Sequence, residues 1–176
     1  FNDLGNDSVQ HAGIEKYLSF KKFRIAPFTV ESVDWMFNYI YEYYLDKKDT
    51  AKAREIAGRY ISKSIEYFDF FDSLAKKIYG RPVSQIYLCH DNSINADYLP
   101  LLLNELKRKN YRIISFSEAL RDEVYQQEDK YYRKWGISWI YRWMNNQGEI
   151  SFFSKQEPKD ELYDVYKKLL QEQKNK

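Results

Sequence analysis

Two residues of this chain have types and settings suited to chemistry, Asp34 and His90. His90 closes the run Leu88-Cys89-His90-Asp91-Asn92, where an apolar stretch turns abruptly polar. Imidazole exchanges a proton near neutral pH, so a histidine at the end of a strand is placed for proton transfer. The same position also suits a histidine that only hydrogen-bonds the turn. Asp34 follows another short apolar stretch and is followed by Trp35. It reads either as a helix N-cap or as a polar group at the end of a strand, where the loops of parallel αβ folds converge. The other histidine, His11, falls in a helical pattern beside no acidic cluster and reads as a surface or packing residue. With one cysteine there is neither an intrachain disulfide nor a cysteine-rich zinc site, and the two histidines form no pair at helical spacing.

The elements that must position these residues follow from hydrophobic spacing. Ser8 caps a first helix with Ile14, Tyr17 and Leu18 on one face. Phe23 to Val30 is apolar and branched, as in a buried strand, and helix resumes from Asp34 to Leu45. Asp49-Thr50 caps a long helix to Tyr79, with Ile56, Tyr60, Ile61, Ile65, Phe68, Phe71, Ala75 and Ile78 as its stripe and Gly80 at its end. Gln85 to His90 is a second strand. A helix with Leu99, Leu102, Leu103 and Leu106 on one face then ends at Asn110, and Tyr111 to Ser115 gives a third strand. Ser117 opens a short helix, Trp139 to Asn145 an aromatic one, and residues 147–176 read as a linker with Pro158 plus a terminal amphipathic helix through Leu162, Val165, Leu169 and Leu170. The expectation is one α/β domain over 1–176: helix-rich, with about three parallel strands joined by crossover helices. So small a parallel sheet would leave two edges to be covered by an oligomer partner or by a missing N-terminal part.

Composition narrows the classes. Seventeen Tyr and 11 Phe put too much aromatic surface in the chain for a disordered segment. A net charge of +2, with cations scattered apart from Lys107-Arg108-Lys109 at a helix end, is not the footprint of a nucleic-acid binder. No apolar run is long enough to span a bilayer. Compartment stays open, since one cysteine suits cytosol and secretion alike.

The ordered set Asp34-Trp35 and Leu88-Cys89-His90 resembles late motifs of the polysaccharide deacetylase family of carbohydrate esterases. Phe23 to Val30, Gln85 to Leu120 and Gly136 to Trp143 look like segments of one bacterial branch, so the likeness runs from about residue 8 to 146. It implies a distorted (β/α) barrel of which this chain is the C-terminal part, an extracytoplasmic setting, and an acetylated polysaccharide or oligosaccharide as partner. It also implies roles. His90 would be the general acid, Asp34 its orienting and charge-stabilising partner, and Trp35 and Leu88 the walls of an acetyl pocket. The family's divalent metal, most often zinc, and its base would belong to motifs before Phe1, so this chain alone is expected to hold no metal and to be inactive. Glu31 stands where many relatives have Asp. Trp135, Trp139 and Trp143, and Tyr39, Tyr41, Tyr43 and Tyr44, suit packing or sugar contact alike, packing being preferred. Two rival readings are a non-catalytic glycan-binding relative and an oligomeric interaction protein.

Overall fold

A computed structural model describes residues 4–133, 136–159 and 162–174; the expectations attached to Phe1 and Trp135 lie outside these. The described residues form eight α-helices, one 3-10 turn and two very short strands. Helix α1 is Ser8–Phe20, β1 Val30–Glu31, α2 Asp34–Asp46, α3 Thr50–Tyr79, β2 Tyr87–Leu88 and α4 Ser93–Arg108. Then follow α5 (Phe116–Ala119), the 3-10 turn (Glu123–Gln126), α6 (Trp139–Arg142), α7 (Gln147–Ser154) and α8 (Leu162–Lys174).

The α/β expectation, a three-strand piece of a distorted barrel, is overturned: the chain is α-rich with little sheet. What remains is one parallel pair, Val30 beside Tyr87 and Glu31 beside Leu88. The first expected strand is cut short and the third is lost, each for a local reason. Residues 22–29 leave α1 through a left-handed Lys22, with Phe23 two-thirds exposed (66%), and Pro27 has no N–H for a ladder. After the left-handed Asn110, the N–H of Tyr111 is drawn back to Leu106 O of α4. The extended stretch 111–115 then faces 83–87 across a cavity of about 470 Å³ instead of pairing with it. The backbone just before β1 is held internally, by Trp139 N–H to Phe28 O (2.9 Å) and Ser138 Oγ to Thr29 O (2.7 Å). The segment read as a linker carries α7 before α8.

Helices carry the core. In α3 the buried face runs Ala53, Ile56, Tyr60, Ser64, Tyr67, Phe71 and Leu74, the three-and-four spacing of one stripe; Ile61, Ile65 and Ile78 are only partly buried. Helix α2 packs on α3, α4 and α8, with Phe37 against Tyr60 of α3 and Trp35 and Tyr39 against Tyr166 of α8; Phe37 and Ile40 are fully buried, and Ile94, Leu102 and Leu106 of α4 complete the centre. Burying each such side chain contributes about 1.5–3 kcal/mol. The caps fall close to expectation: Asp7 caps α1 one residue before Ser8, Asp49 caps α3, and Gly80 ends α3 at φ +68°. Trp139, Trp143 and Tyr41 are buried packing residues, while Tyr39, Tyr43 and Tyr44 are partly buried. No helix among the described residues is long and apolar enough to cross a membrane.

Candidate functional site: a buried aspartate and an open histidine

The two strands are parallel and both end at the same side, so the residues just beyond them meet. Val33, between β1 and α2, adopts a left-handed conformation (φ +48°, ψ +36°) without a side-chain cap. For a β-branched residue this costs about 1–2 kcal/mol, and it turns the chain so that Asp34 starts α2 pointing inward, fully buried. Asp34 is therefore not the N-cap; Val33 holds that position. Beyond β2, Asn92 caps α4 by accepting from Asn95 N–H (3.1 Å). Helix α2 is fastened to the start of α4 by Ile94 N–H to Asn38 Oδ1 (3.0 Å), Ser93 Oγ to Glu42 (2.6 Å) and Tyr41 hydroxyl to Asp97 (2.6 Å).

Four donors converge on the Asp34 carboxylate. Oδ1 lies 2.7 Å from His90 Nδ1, while Oδ2 accepts from His90 N–H (2.7 Å), Asn95 Nδ2 (2.6 Å) and Asn92 Nδ2 (3.3 Å). A buried carboxylate so surrounded has its hydrogen bonds satisfied. Since carboxylate oxygen only accepts, His90 carries its proton on Nδ1 when neutral, and Nε2 is the nitrogen that gains or loses one. The His90 side chain is 48% exposed, so this edge is open.

A chain of hydroxyls lies behind the aspartate. Asn95 Nδ2 donates to Asp34 and to His90 O (2.8 Å), which leaves Asn95 Oδ1 to accept from Tyr60 hydroxyl at 2.6 Å. Tyr60 in turn accepts from Tyr87 (3.1 Å), and Tyr87 from Ser32 Oγ (2.5 Å). Every donor direction is thus fixed by the aspartate at its end. Burial pushes the Tyr60 phenol up to about 12 and Tyr87 higher still, so both stay protonated. Cys89, half-buried, has its thiol raised by burial and then by the Asp34 charge, which keeps it from being a thiolate nucleophile.

The other sequence candidates separate. Trp35 turns toward α8, with its ring edge-on to Tyr166 (centroids 5.3 Å apart), and lines a cleft of about 370 Å³ with Met36, Glu157 and Tyr163. Leu88, in β2 and partly buried, does not line that cleft. The motifs do not point to Asn95, Tyr60, Tyr87 or Ser32. Asn95 carries only the signal of a helix start, three residues after the Asn92 cap, and Tyr60 falls in the apolar stripe of α3, where its ring is core. Glu31 comes close enough to feel both His90 and Asp34: burial raises its carboxyl, His90 opposes that, and Asp34 adds to it. No group of three or more His, Cys, Asp or Glu among the described residues is placed to hold a metal ion. The described residues therefore do not fit the metal centre that the resemblance implies.

Comparison with known protein families, with curated proteins and with solved structures finds no match to this chain. The likeness to polysaccharide deacetylases rests on the sequence motifs alone.

Proposed function

We propose that this chain supplies the proton-donating half of a site that removes acetyl groups from amino sugars of a polysaccharide. The observation that carries the reading is the 2.7 Å contact between His90 Nδ1 and a buried, fully hydrogen-bonded Asp34, with the opposite edge of the ring exposed. In that arrangement the protonated imidazole delivers its Nε2 proton to the departing amine nitrogen as the C–N bond breaks. Asp34 remains a carboxylate, keeps Nδ1–H in place and compensates the imidazolium charge. In this proposal the nucleophile and the divalent cation, zinc by the resemblance, come from residues other than those described. Trp35, the aromatic ring exposed nearest Asp34 in sequence, would contact the sugar.

The test is ring-labelled histidine NMR of the 176-residue chain titrated with an acetylated amino-sugar trimer. A saturable shift of the His90 signal, lost in Asp34→Ala, is expected. No His90 shift at millimolar trimer would overturn the reading. Acetate release by the chain alone with added zinc would overturn the assignment of only half a site to it.

A further inference from the structure

The three most exposed large apolar side chains among the described residues all lie on or just past α1: Val9 (80%), Phe20 (79%) and Phe23 (66%). The helix rests on the core through buried His11 and partly buried Ile14 and Leu18. Its opposite side carries Val9, Gly13, Tyr17 and Phe20 at helical spacing. A side chain grown from Gly13 would meet nothing within 4 Å, so this side is bare. Phe23 is held firmly although it lies beyond the helix. Its N–H bonds Leu18 O (2.9 Å) and that of Lys22 bonds Ser19 O (2.9 Å), with Lys22 left-handed at φ +59°. This paired closure fixes Phe23 at the end of α1.

Charge is concentrated at the same end. Residues 16–24, Lys-Tyr-Leu-Ser-Phe-Lys-Lys-Phe-Arg, hold four cations and no acid, in a chain whose net charge is only +2. All four cations are exposed. They interleave with the rings: Lys21 Nζ lies 5.9 Å from the centre of Tyr17 and 5.7 Å from that of Phe20. A hollow of about 450 Å³ beside them is lined by Lys22, Phe23 and Arg24, with Glu15 as its one acid. Glu15 also lies 3.9 Å from His11 Nδ1, and Asp7 is engaged as the cap at the far end of α1.

Rings and cations mixed at one height suit a layered partner, anionic outside and apolar beneath. Phe and Tyr reach the acyl boundary of a bilayer, while lysine stems lead their ammonium groups back to the phosphates. We propose that this end of α1 binds the surface of an anionic lipid bilayer. Phe20 and Phe23 enter the boundary between headgroups and acyl chains, and Lys16, Lys21, Lys22 and Arg24 meet lipid phosphates. The contact is peripheral, since α1 has 13 residues and no described helix is long and apolar enough to cross. A single weak signal gives only marginal attachment to a bilayer, so the apolar and the cationic parts are both required.

The experiment is flotation of the full chain with vesicles of phosphatidylcholine alone and with vesicles containing about one-third phosphatidylglycerol. Partition onto the anionic vesicles is expected to be about tenfold stronger, and to fall about tenfold as salt rises from about 0.1 to about 0.5 M. The pair Phe20→Ala and Phe23→Ala, and separately the pair Lys21→Glu and Lys22→Glu, should each weaken it by about tenfold. Circular dichroism checks folding; should the double phenylalanine variant not fold, Phe20→Ser alone carries the same expectation. Equal partition onto the two kinds of vesicle, or unchanged partition in either pair of variants, overturns the inference. So does self-association without vesicle binding, read by sedimentation velocity and lost in the double phenylalanine variant, which would make a second copy of the chain the occupant of this face.

Discussion

His11 and His90 both lie against an aspartate, yet their surroundings separate them. His11 is 4% exposed; its Nε2 sits 3.2 Å from Asp129 Oδ2, and its Nδ1 lies 3.9 Å from Glu15. The same Oδ2 of Asp129 is claimed by Arg142 through Nε (2.9 Å) and Nη2. Arg142 is 1% exposed and lies over the rings of Trp139 and Tyr131. His11 is therefore held by Nε2 in a packed cluster with Asp129 and Arg142 that joins α1 to α6, its ring sealed from solvent. At His90 the aspartate is the buried member and the imidazole is the open one. A carboxylate beside a histidine is thus not in itself a sign of chemistry. What counts is which partner faces solvent and whether the second ring nitrogen is left available.

The largest effect should come from the closed pair. Asp129→Ala leaves a buried guanidinium without its carboxylate and is expected to lose about 3–5 kcal/mol in urea unfolding; a loss under 1 kcal/mol would remove the contrast. Asp34→Ala strands the donors of His90, Asn92 and Asn95, and is expected to lose about 3 kcal/mol together with the saturable His90 shift.

A smaller, pH-dependent effect should come from two partly buried acids, Glu31 and Glu157. Glu31 and Glu157 have folded values raised above their unfolded ones. They bind protons more tightly in the folded chain, so their contribution is fully present below the unfolded carboxyl range and is lost as pH rises through the folded values. Asp122 works in the opposite sense. Burial opposes its ionisation, but Arg81 and the N–H groups of Ser84 and Val124 outweigh this and hold the carboxyl low, so its support is lost as pH falls through that lowered value. Glu157→Gln should flatten the loss of stability above the ordinary carboxyl range and leave the acid limb intact, read as Tm against pH. A smaller loss should come from His90→Ala, which takes the Nδ1 donor from the buried Asp34 carboxylate. It is expected to cost about 1–2 kcal/mol in urea unfolding, less than Asp34→Ala because the donors of Asn92, Asn95 and the His90 N–H remain.

Much of the helical framework was legible because its signals are local. The stripe of α3, the Asp49 cap and the Gly80 stop need only 3.6-residue periodicity and backbone preference, and they stand where expected. The positions of Asp34 and His90 after two apolar stretches were legible for the same reason. The strands were not. Propensity marks a segment that can extend, but pairing needs a neighbour at ladder distance, and Tyr111 to Ser115 faces a cavity instead.

The sequence by itself singled out Asp34 and His90 as candidate site residues and marked where most of the helices start and stop. Only the tertiary structure decided what each of them meets. It joined Asp34 to His90 across 56 residues and His11 to Asp129 across 118. It threaded Asn95, Tyr60, Tyr87 and Ser32 behind the first pair, and it closed the second with Arg142. The reason is physical. Periodicity and caps record interactions within a few residues, whereas the burial of one charge and the exposure of its partner depend on contacts made only when distant helices pack.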